Sequence, residues 1–157
     1  VDIQYCDLSN FQLLDQVISE TLRFWPFSLI GVNRICAEDY RYKDITIPKG
    51  CTITIPIQVL QNDPAYWREP DKFNPYRFSS EKLQKTDSII YQPFGAGHRM
   101  CLGQRLAITV IKLVLANLIR SFKSEKYGDE NERVYYLYYW YPKNGIKVKA
   151  TPLFSSF

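Results

Sequence analysis

The sequence predicts an α+β fold that is mainly α. Three observations carry this reading. Two stretches place apolar residues at helical spacing, and two alternate apolar with polar residues around proline or glycine turns. Between them lies a long proline-rich stretch with no period. The expected order is a helix, a β-hairpin, an irregular segment, a glycine-rich cysteine loop, a long buried helix and a C-terminal β-hairpin.

The first helix is expected over Ser9 to about Trp25. Ser9 and Gln12 have capping-box spacing, Leu14, Val17, Ile18 and Leu22 recur at helical intervals, and Pro26 ends the run. Tyr40 to Ile57 reads as a hairpin. Ile45 and Ile47 alternate with polar residues, as do Ile53, Ile55 and Ile57, and Pro48-Lys49-Gly50 makes the turn, with Pro second and Gly fourth. From Gln58 to Tyr91 prolines break every pattern; Asp63-Pro64 is expected to open a short helix, and Tyr66, Trp67, Phe73, Tyr76 and Phe78 to pin the rest. Leu102 to Phe122 is apolar nearly all round, which predicts a buried helix. Tyr135 to Val148 reads as a second hairpin turned near Pro142-Lys143-Asn144-Gly145, where Asn-Gly is a strong turn signal.

Composition narrows the function classes. The chain has 157 residues, 46% hydrophobic and 23% charged, enough for a packed core and too apolar for disorder. A net charge of +4 permits an acidic partner or an anionic membrane and demands neither; no nucleic-acid partner is expected. Cys6, Cys36, Cys51 and Cys101 lie far apart without a C-x-x-C pair, which disfavours a zinc site and reads as free thiols. A single histidine, His98, excludes poly-histidine metal sites. No apolar run reaches the ~20 residues of a membrane span. Leu106 to Ile119 comes nearest and is broken by Lys112. The opening at Val1, without Met, reads as the interior of something longer.

The chemistry concentrates in Phe94-Gly95-Ala96-Gly97-His98-Arg99-Met100-Cys101-Leu102-Gly103. A cysteine in a glycine-rich loop directly before a helix is well placed to present a thiolate to a metal. The helix N-terminus turns its free N–H groups and positive end toward the sulfur. Taken alone, Cys101 is also readable as a buried structural thiol, or as the nucleophile of a Cys101–His98 pair lacking a third orienting group. The string F-x-x-G-x-R-x-C-x-G resembles the haem-binding signature of the cytochrome P450 family. At about 5% usage per fixed type, five positions match by chance about 3×10⁻⁷ times per window, so coincidence explains it poorly.

The resemblance covers nearly the whole chain from about Ser9 and implies the C-terminal part of one such domain, incomplete over 1–157. It implies that Cys101 ligates the iron of haem b and is the catalytic ligand. Phe94 would pack beside the ring, Gly95, Gly97 and Gly103 would permit close approach, and Arg99 would pair with a propionate. Arg34 is implied as a second propionate partner, and Phe27, Ser28, Leu29, Ile30, Tyr138 and Tyr139 as possible substrate contacts. His98 takes no catalytic role. Glu20-Thr21-Leu22-Arg23 matches the family's E-x-x-R, which with Arg77 implies a buried charge network; Tyr76 stands where the family usually has Glu. The alternatives are an exposed helix pair for Glu20 and Arg23, a surface position for Arg34 and core packing for Tyr138 and Tyr139.

Glu-Thr-Leu-Arg, Ile-Pro-Lys-Gly at 47–50 and Gln-Pro-Phe-Gly at 92–95 make the chain most similar to the microsomal, xenobiotic-oxidising branch. That branch implies monooxygenation of an apolar small molecule with O₂, using electrons from NADPH through a reductase, at the cytosolic face of the endoplasmic reticulum membrane or, alternatively, in mitochondria. Thiolate ligation in this family favours O–O cleavage. Arg105, Lys112 and Lys123, with Arg120 beside them, fall on one helix face that would steer an acidic electron donor, or would simply be solvated. The family's long central helix with its acid–alcohol pair and its N-terminal membrane anchor are expected to lie outside this stretch, so the isolated chain is expected to be inactive and to bind haem weakly or not at all. A reductase-independent isomerase or dehydratase, and a catalytically dead truncated product acting only in binding, are the other readings.

Overall fold

The computed structural model describes residues 3–27, 31–79, 89–127, 133–136, 139–142 and 145–153, with 133–136 and 139–142 described by backbone alone. The architecture mixes α and β, and its helices are the longest elements. Among the described residues these are α1 (Gln12–Phe24), α2 (Ile57–Asn62) and α3 (Gln104–Ser121). The strands are β1 (Val32–Ile35), β2 (Tyr40–Tyr42), β3 (Ile45–Ile47), β4 (Thr52–Ile55), β5 (Phe122–Lys126), β6 (Arg133–Tyr136), β7 (Tyr139–Pro142) and β8 (Val148–Pro152). They pair as four antiparallel ladders, β1–β4, β2–β3, β5–β8 and β6–β7.

The chain enters α1 through a 3-10 turn, Tyr5–Asn10, so the helix begins three residues later than its sequence suggests. Ser9 does not cap it, because its hydroxyl donates to the Cys6 carbonyl at 2.8 Å. Serine readily prefers such a local bond to a cap. The reciprocal capping box lies upstream instead, with the Gln4 N–H donating to the Asp7 carboxylate at 2.8 Å. The helix ends where expected: the Trp25 N–H reaches the Thr21 carbonyl at 2.8 Å, and Pro26 cannot continue the ladder.

Strands β1 and β4 alternate between half-buried and exposed residues, whereas β2 is exposed throughout and Ile47 alone of β3 is half-buried, and the strands choose other partners than expected. β3 pairs back to β2 through the Lys43-Asp44 turn, with Lys43 left-handed at φ 53°. β4 pairs with β1, setting Val32 opposite Ile55 and Ile35 opposite Thr52. The single Tyr40–Ile57 hairpin is therefore corrected to two ladders, and Ile57 becomes the first residue of α2. The turn between β3 and β4 is shifted by one: Cys51 N–H donates to the Pro48 carbonyl at 3.1 Å, which puts Gly50 third, at φ 81°. That is a type II turn, whose third position requires the left-handed backbone. Gly31 also needs to be glycine, since a Cβ there would come 1.7 Å from the Ile55 carbonyl oxygen.

The second expected hairpin is likewise redistributed. β6 and β7 meet with Tyr136 opposite Tyr139, while β8 pairs with β5 and sets Val148 opposite Lys126. Residues 143 and 144, within the expected Pro142–Gly145 turn, lie outside the described residues. Alternation specifies which face a residue occupies but leaves open which strand lies beside it.

Asp63-Pro64 opens a turn rather than a helix. The Asp63 carboxylate accepts from the Ala65 N–H at 2.8 Å and its carbonyl from the Trp67 N–H at 2.9 Å. The helix lies just upstream, as α2. Of the five expected aromatic pins, Trp67 and Phe78 are buried and Phe73 stacks on Trp25, whereas Tyr66 and Tyr76 are exposed. Trp67, Phe78 and Tyr91 form one cluster, with Phe78 and Tyr91 centroids 4.8 Å apart.

The expected buried helix is the largest correction. Only Lys112 and Ala116 of α3 are buried; Leu106, Val110, Leu113, Val114, Leu118 and Ile119 are all exposed. The helix touches the Tyr5–Asn10 turn and β5, which leaves most of its apolar surface uncovered by the described residues. Among the described residues the buried apolar side chains are Leu8, Ile18, Ile57, Trp67, Phe78 and Ala116, and the largest fully buried ones are polar, namely Arg23, Gln61 and Glu20.

Candidate functional site

Glu20 and Arg23 lie one turn apart on α1, on the face turned toward α2 and the Pro75–Phe78 3-10 turn. Both are fully buried. Arg23 Nε donates to Glu20 Oε2 at 2.8 Å and Nη2 to Oε1 at 3.0 Å, a bidentate fork. The remaining N–H groups go to the Gln61 carbonyl at 2.8 Å, the Asn62 side-chain oxygen at 3.2 Å and the Pro70 carbonyl at 2.9 Å. Every guanidinium proton thus has an acceptor, the condition under which a charge tolerates burial. The cation also lies 5.3 Å from the Phe24 ring centroid and 5.4 Å from that of Trp67.

Arg77 joins from the other side, its Nε 3.4 Å from Glu20 Oε1. Its terminal nitrogens donate to the backbone carbonyls of Arg68, Glu69 and Lys72. Glu69 sits at φ 51°, a left-handed position that non-glycine residues rarely occupy. The Asn74 N–H donates to Glu20 Oε1 at 2.8 Å. The structure thus brings Glu20, Arg23 and Arg77 together, and irregular backbone from 68 to 74 wraps around them.

Gln61 had no signal in the sequence, yet it ties this cluster to the cysteine loop. Its side-chain amide donates to the carbonyls of Leu22 at 3.0 Å and Arg23 at 3.3 Å, two acceptors left open at the end of α1. Its side-chain oxygen accepts the Gln92 N–H at 3.0 Å. Beside it the Tyr91 hydroxyl donates to the Ser19 carbonyl at 3.0 Å. Burial pushes the Tyr91 phenol up to about 12.

The loop follows at once. Gly95 N–H donates to the Gln92 carbonyl at 3.1 Å, and Cys101 N–H donates back to the Phe94 carbonyl at 2.9 Å, closing residues 94–101 into a tight loop. Gly95 and Gly97 hold φ values of 78° and 68°, a backbone that side chains rarely allow. Gly97–Arg99 form a 3-10 turn, and Gly103 is the N-cap of α3. A Cβ on Gly103 would lie 3.9 Å from Cys101 Sγ, so the sulfur rests against the start of that helix. Cys101, His98 and Arg99 are exposed, and Phe94 is half-buried. Among the described residues no three His, Cys, Asp or Glu side chains converge as a metal cluster, so the loop offers a single thiol donor.

The other expected positions are scattered. Arg34 stands half-buried on β1 and donates to the Asn33 carbonyl at 2.9 Å. Phe27 is exposed. Ser28, Leu29, Ile30 and Tyr138 lie outside the described residues, and Tyr139 opens β7. The basic helix face is corrected. Lys112 is buried and paired with Asp15 of α1 at 2.8 Å, and Lys123 lies past the helix on β5, paired with Glu125 at 2.8 Å. The pattern of charges alone did not reveal that an acidic residue on α1 would meet Lys112. Among the described residues no helix is long and apolar enough to cross a membrane.

Comparison with known proteins adds an independent finding. A family model described as Cytochrome P450 matches residues 1–147. Cytochrome P450 3A7 of Homo sapiens is 41% identical over 118 residues, 75% of this chain and 23% of that protein. Cytochrome P450 3A28 of Bos taurus is 42% identical over 118 residues, again 75% of this chain and 23% of that protein. Cytochrome P450 3A19 of Capra hircus aegagrus is 39% identical over 118 residues, 75% of this chain and 54% of that protein. The chain spans about a quarter of the length of the human and bovine relatives.

Proposed function

The chain belongs to the cytochrome P450 family, and from that premise we propose that it carries the haem-ligand end of a monooxygenase, with Cys101 as the iron ligand. We further assign it to the microsomal, xenobiotic-oxidising branch, as one incomplete part of a larger domain. The parent acts on an apolar small molecule at the endoplasmic reticulum membrane, with a reductase as electron donor.

One observation carries the reading: an exposed thiol held by a glycine loop against the start of α3, beside an uncovered apolar helix. The residues suit a flat, largely apolar ring with acidic edges. Gly95 and Gly97 keep side chains away from the loop, Phe94 supplies an aromatic neighbour, and Arg99 offers an exposed fork to a carboxylate. Haem bound there would supply O₂ activation. The chain's residues would do the rest. Cys101 would bind the iron as a thiolate, and the Phe94–Cys101 backbone bond would fix its direction. The Glu20–Arg23–Arg77 cluster would hold the irregular backbone under the loop, and Gln61 would tie that backbone to Gln92.

Two measurements test this. In the longer parent, the carbon monoxide difference spectrum should show the red-shifted Soret band of thiolate ligation and lose it in Cys101→Ser. A spectrum indifferent to that substitution overturns the ligand assignment. With the 157-residue chain, hemin titration should give weak binding or none. A tight thiolate-type complex lost in Cys101→Ala would instead show that the chain holds haem unaided.

A further inference from the structure

Two other cysteines meet at the open end of the β1–β4 ladder. The register sets Ile35 opposite Thr52. One residue further out, the Cys36 N–H donates to the Cys51 carbonyl at 2.9 Å, and the Gly50 N–H donates to the Cys36 carbonyl at 2.8 Å. Gly50 and Cys51 therefore stand together against Cys36, a bulge with a left-handed glycine at its first position. Cys36 alternates from Ile35 and Cys51 from Thr52, so both thiols project on the same face of the ladder. The Cys36 N–H to Cys51 carbonyl bond keeps the two backbones adjacent at this bulge. A disulfide needs Cα atoms about 4.4–6.8 Å and Cβ atoms about 3.5–4.5 Å apart, so the bulged end of the ladder must give for the two sulfurs to meet.

Both thiols are reduced and bonded elsewhere. Cys36 Sγ donates to the Glu38 carbonyl at 3.0 Å and Cys51 Sγ to the Thr52 carbonyl at 3.8 Å. Cys51 is exposed and Cys36 half-buried.

We propose that Cys36 and Cys51 form a dithiol modification site for a low-molecular-weight disulfide of the glutathione class, and that reaction closes a cross-strand disulfide. The exposed Cys51 loses its proton to solvent, and its thiolate attacks one sulfur of the small disulfide. That S–S bond breaks, the first small thiolate leaves with the electron pair and takes up a proton, and Cys51 carries a mixed disulfide. Cys36, deprotonated in turn, attacks the Cys51 sulfur and expels the second small thiolate. Two protein thiols are oxidised by two electrons, and the small disulfide is reduced to two thiols. The bridge clamps the end of the strand that carries Arg34, which lies two residues before Cys36 on the same face and opposite Ile53.

The test treats the whole chain with oxidised glutathione under native conditions and in concentrated urea, alkylates the remaining thiols and maps the products by mass spectrometry. Chain statistics alone favour the fifteen-residue Cys36–Cys51 closure only about threefold over the thirty-residue Cys6–Cys36 closure. The folded ladder should raise that preference to roughly tenfold or more over every other pairing, with the excess lost in urea and the bridge reversed by dithiol reductant. Cys36→Ser should trap the glutathione adduct on Cys51. A Cys36–Cys51 yield no greater than in urea, or bridges running mainly between two chains, overturns the proposal.

Discussion

The cluster around Glu20 and the loop around Cys101 are joined by a few hydrogen bonds, and their surroundings are opposite. In the first, two charges and an amide are fully buried, and every guanidinium proton of Arg23 has an acceptor. In the second, the cysteine, its neighbours and the apolar face of α3 stand open. The closed region satisfies all five N–H groups of Arg23, and the open one leaves its apolar face uncovered by the described residues. The contrast marks where losing one side chain should cost most: around α1, where it strands a buried charge, and not on α3, whose apolar face lies uncovered by the described residues.

The largest effect should come from breaking the closed region. Glu20→Ala leaves Arg23 buried without its bidentate partner and should cost about 3–5 kcal/mol, read as the shift in urea midpoint followed by tryptophan fluorescence. A shift below ~1 kcal/mol would mean the cluster is hydrated in solution. Gln61→Leu comes next. It leaves the Leu22 and Arg23 carbonyls and the Gln92 N–H without their side-chain partner, and should cost about 2–3 kcal/mol. Faster amide exchange at Gln92 is the accompanying sign.

Alkali tests the same region more gently. Tyr91 ionises near 12 when folded, against an ordinary value of 10.0. Its folded value is raised, so its contribution is fully present below pH ~10 and is lost as pH climbs toward 12. Wild type should exceed Tyr91→Phe by about 1 kcal/mol at pH 8 through the Ser19 bond. That advantage should shrink and reverse by pH 12. A difference constant with pH would show an accessible phenol.

The smallest effect belongs to the open region. Leu113→Ser or Leu118→Ser, exposed here, should change this chain's urea midpoint by less than about 0.5 kcal/mol. The same substitutions should destabilise a longer parent in which those side chains are covered. Equal, large losses in the short chain would show that α3 already packs in solution.

The sequence made some of this legible. Helical spacing located α1 and α3 because period is a local property, and Glu20 and Arg23 share a face for the same reason. Strand pairing was not legible: Ile53 and Ile55 turn inward as their alternation suggests and Ile45 does not, and the type II turn at Gly50 and the bulge beside Cys36 set β4 against β1. Gln61 was invisible because its partners are two helix-end carbonyls 38 and 39 residues away and an amide 31 residues away. For α3, periodicity showed which residues are apolar and could not show what would lie against them. For Cys101, composition and spacing gave the loop and the resemblance gave its chemistry; the geometry adds the backbone closure and the sulfur's rest against α3.

The wiring of Arg23 also dictates an order of events as the polypeptide is made. Its acceptors come from Gln61, Asn62 and Pro70, and its anion waits for an N–H from Asn74. Helix α1 can coil within about a microsecond of leaving the ribosome. Its guanidinium nonetheless stays wet until synthesis has passed Asn74, because distant contacts must wait for chain closure. During that interval the nascent chain exposes Ile18 and the rest of the helix's inner stripe, which the folded chain buries.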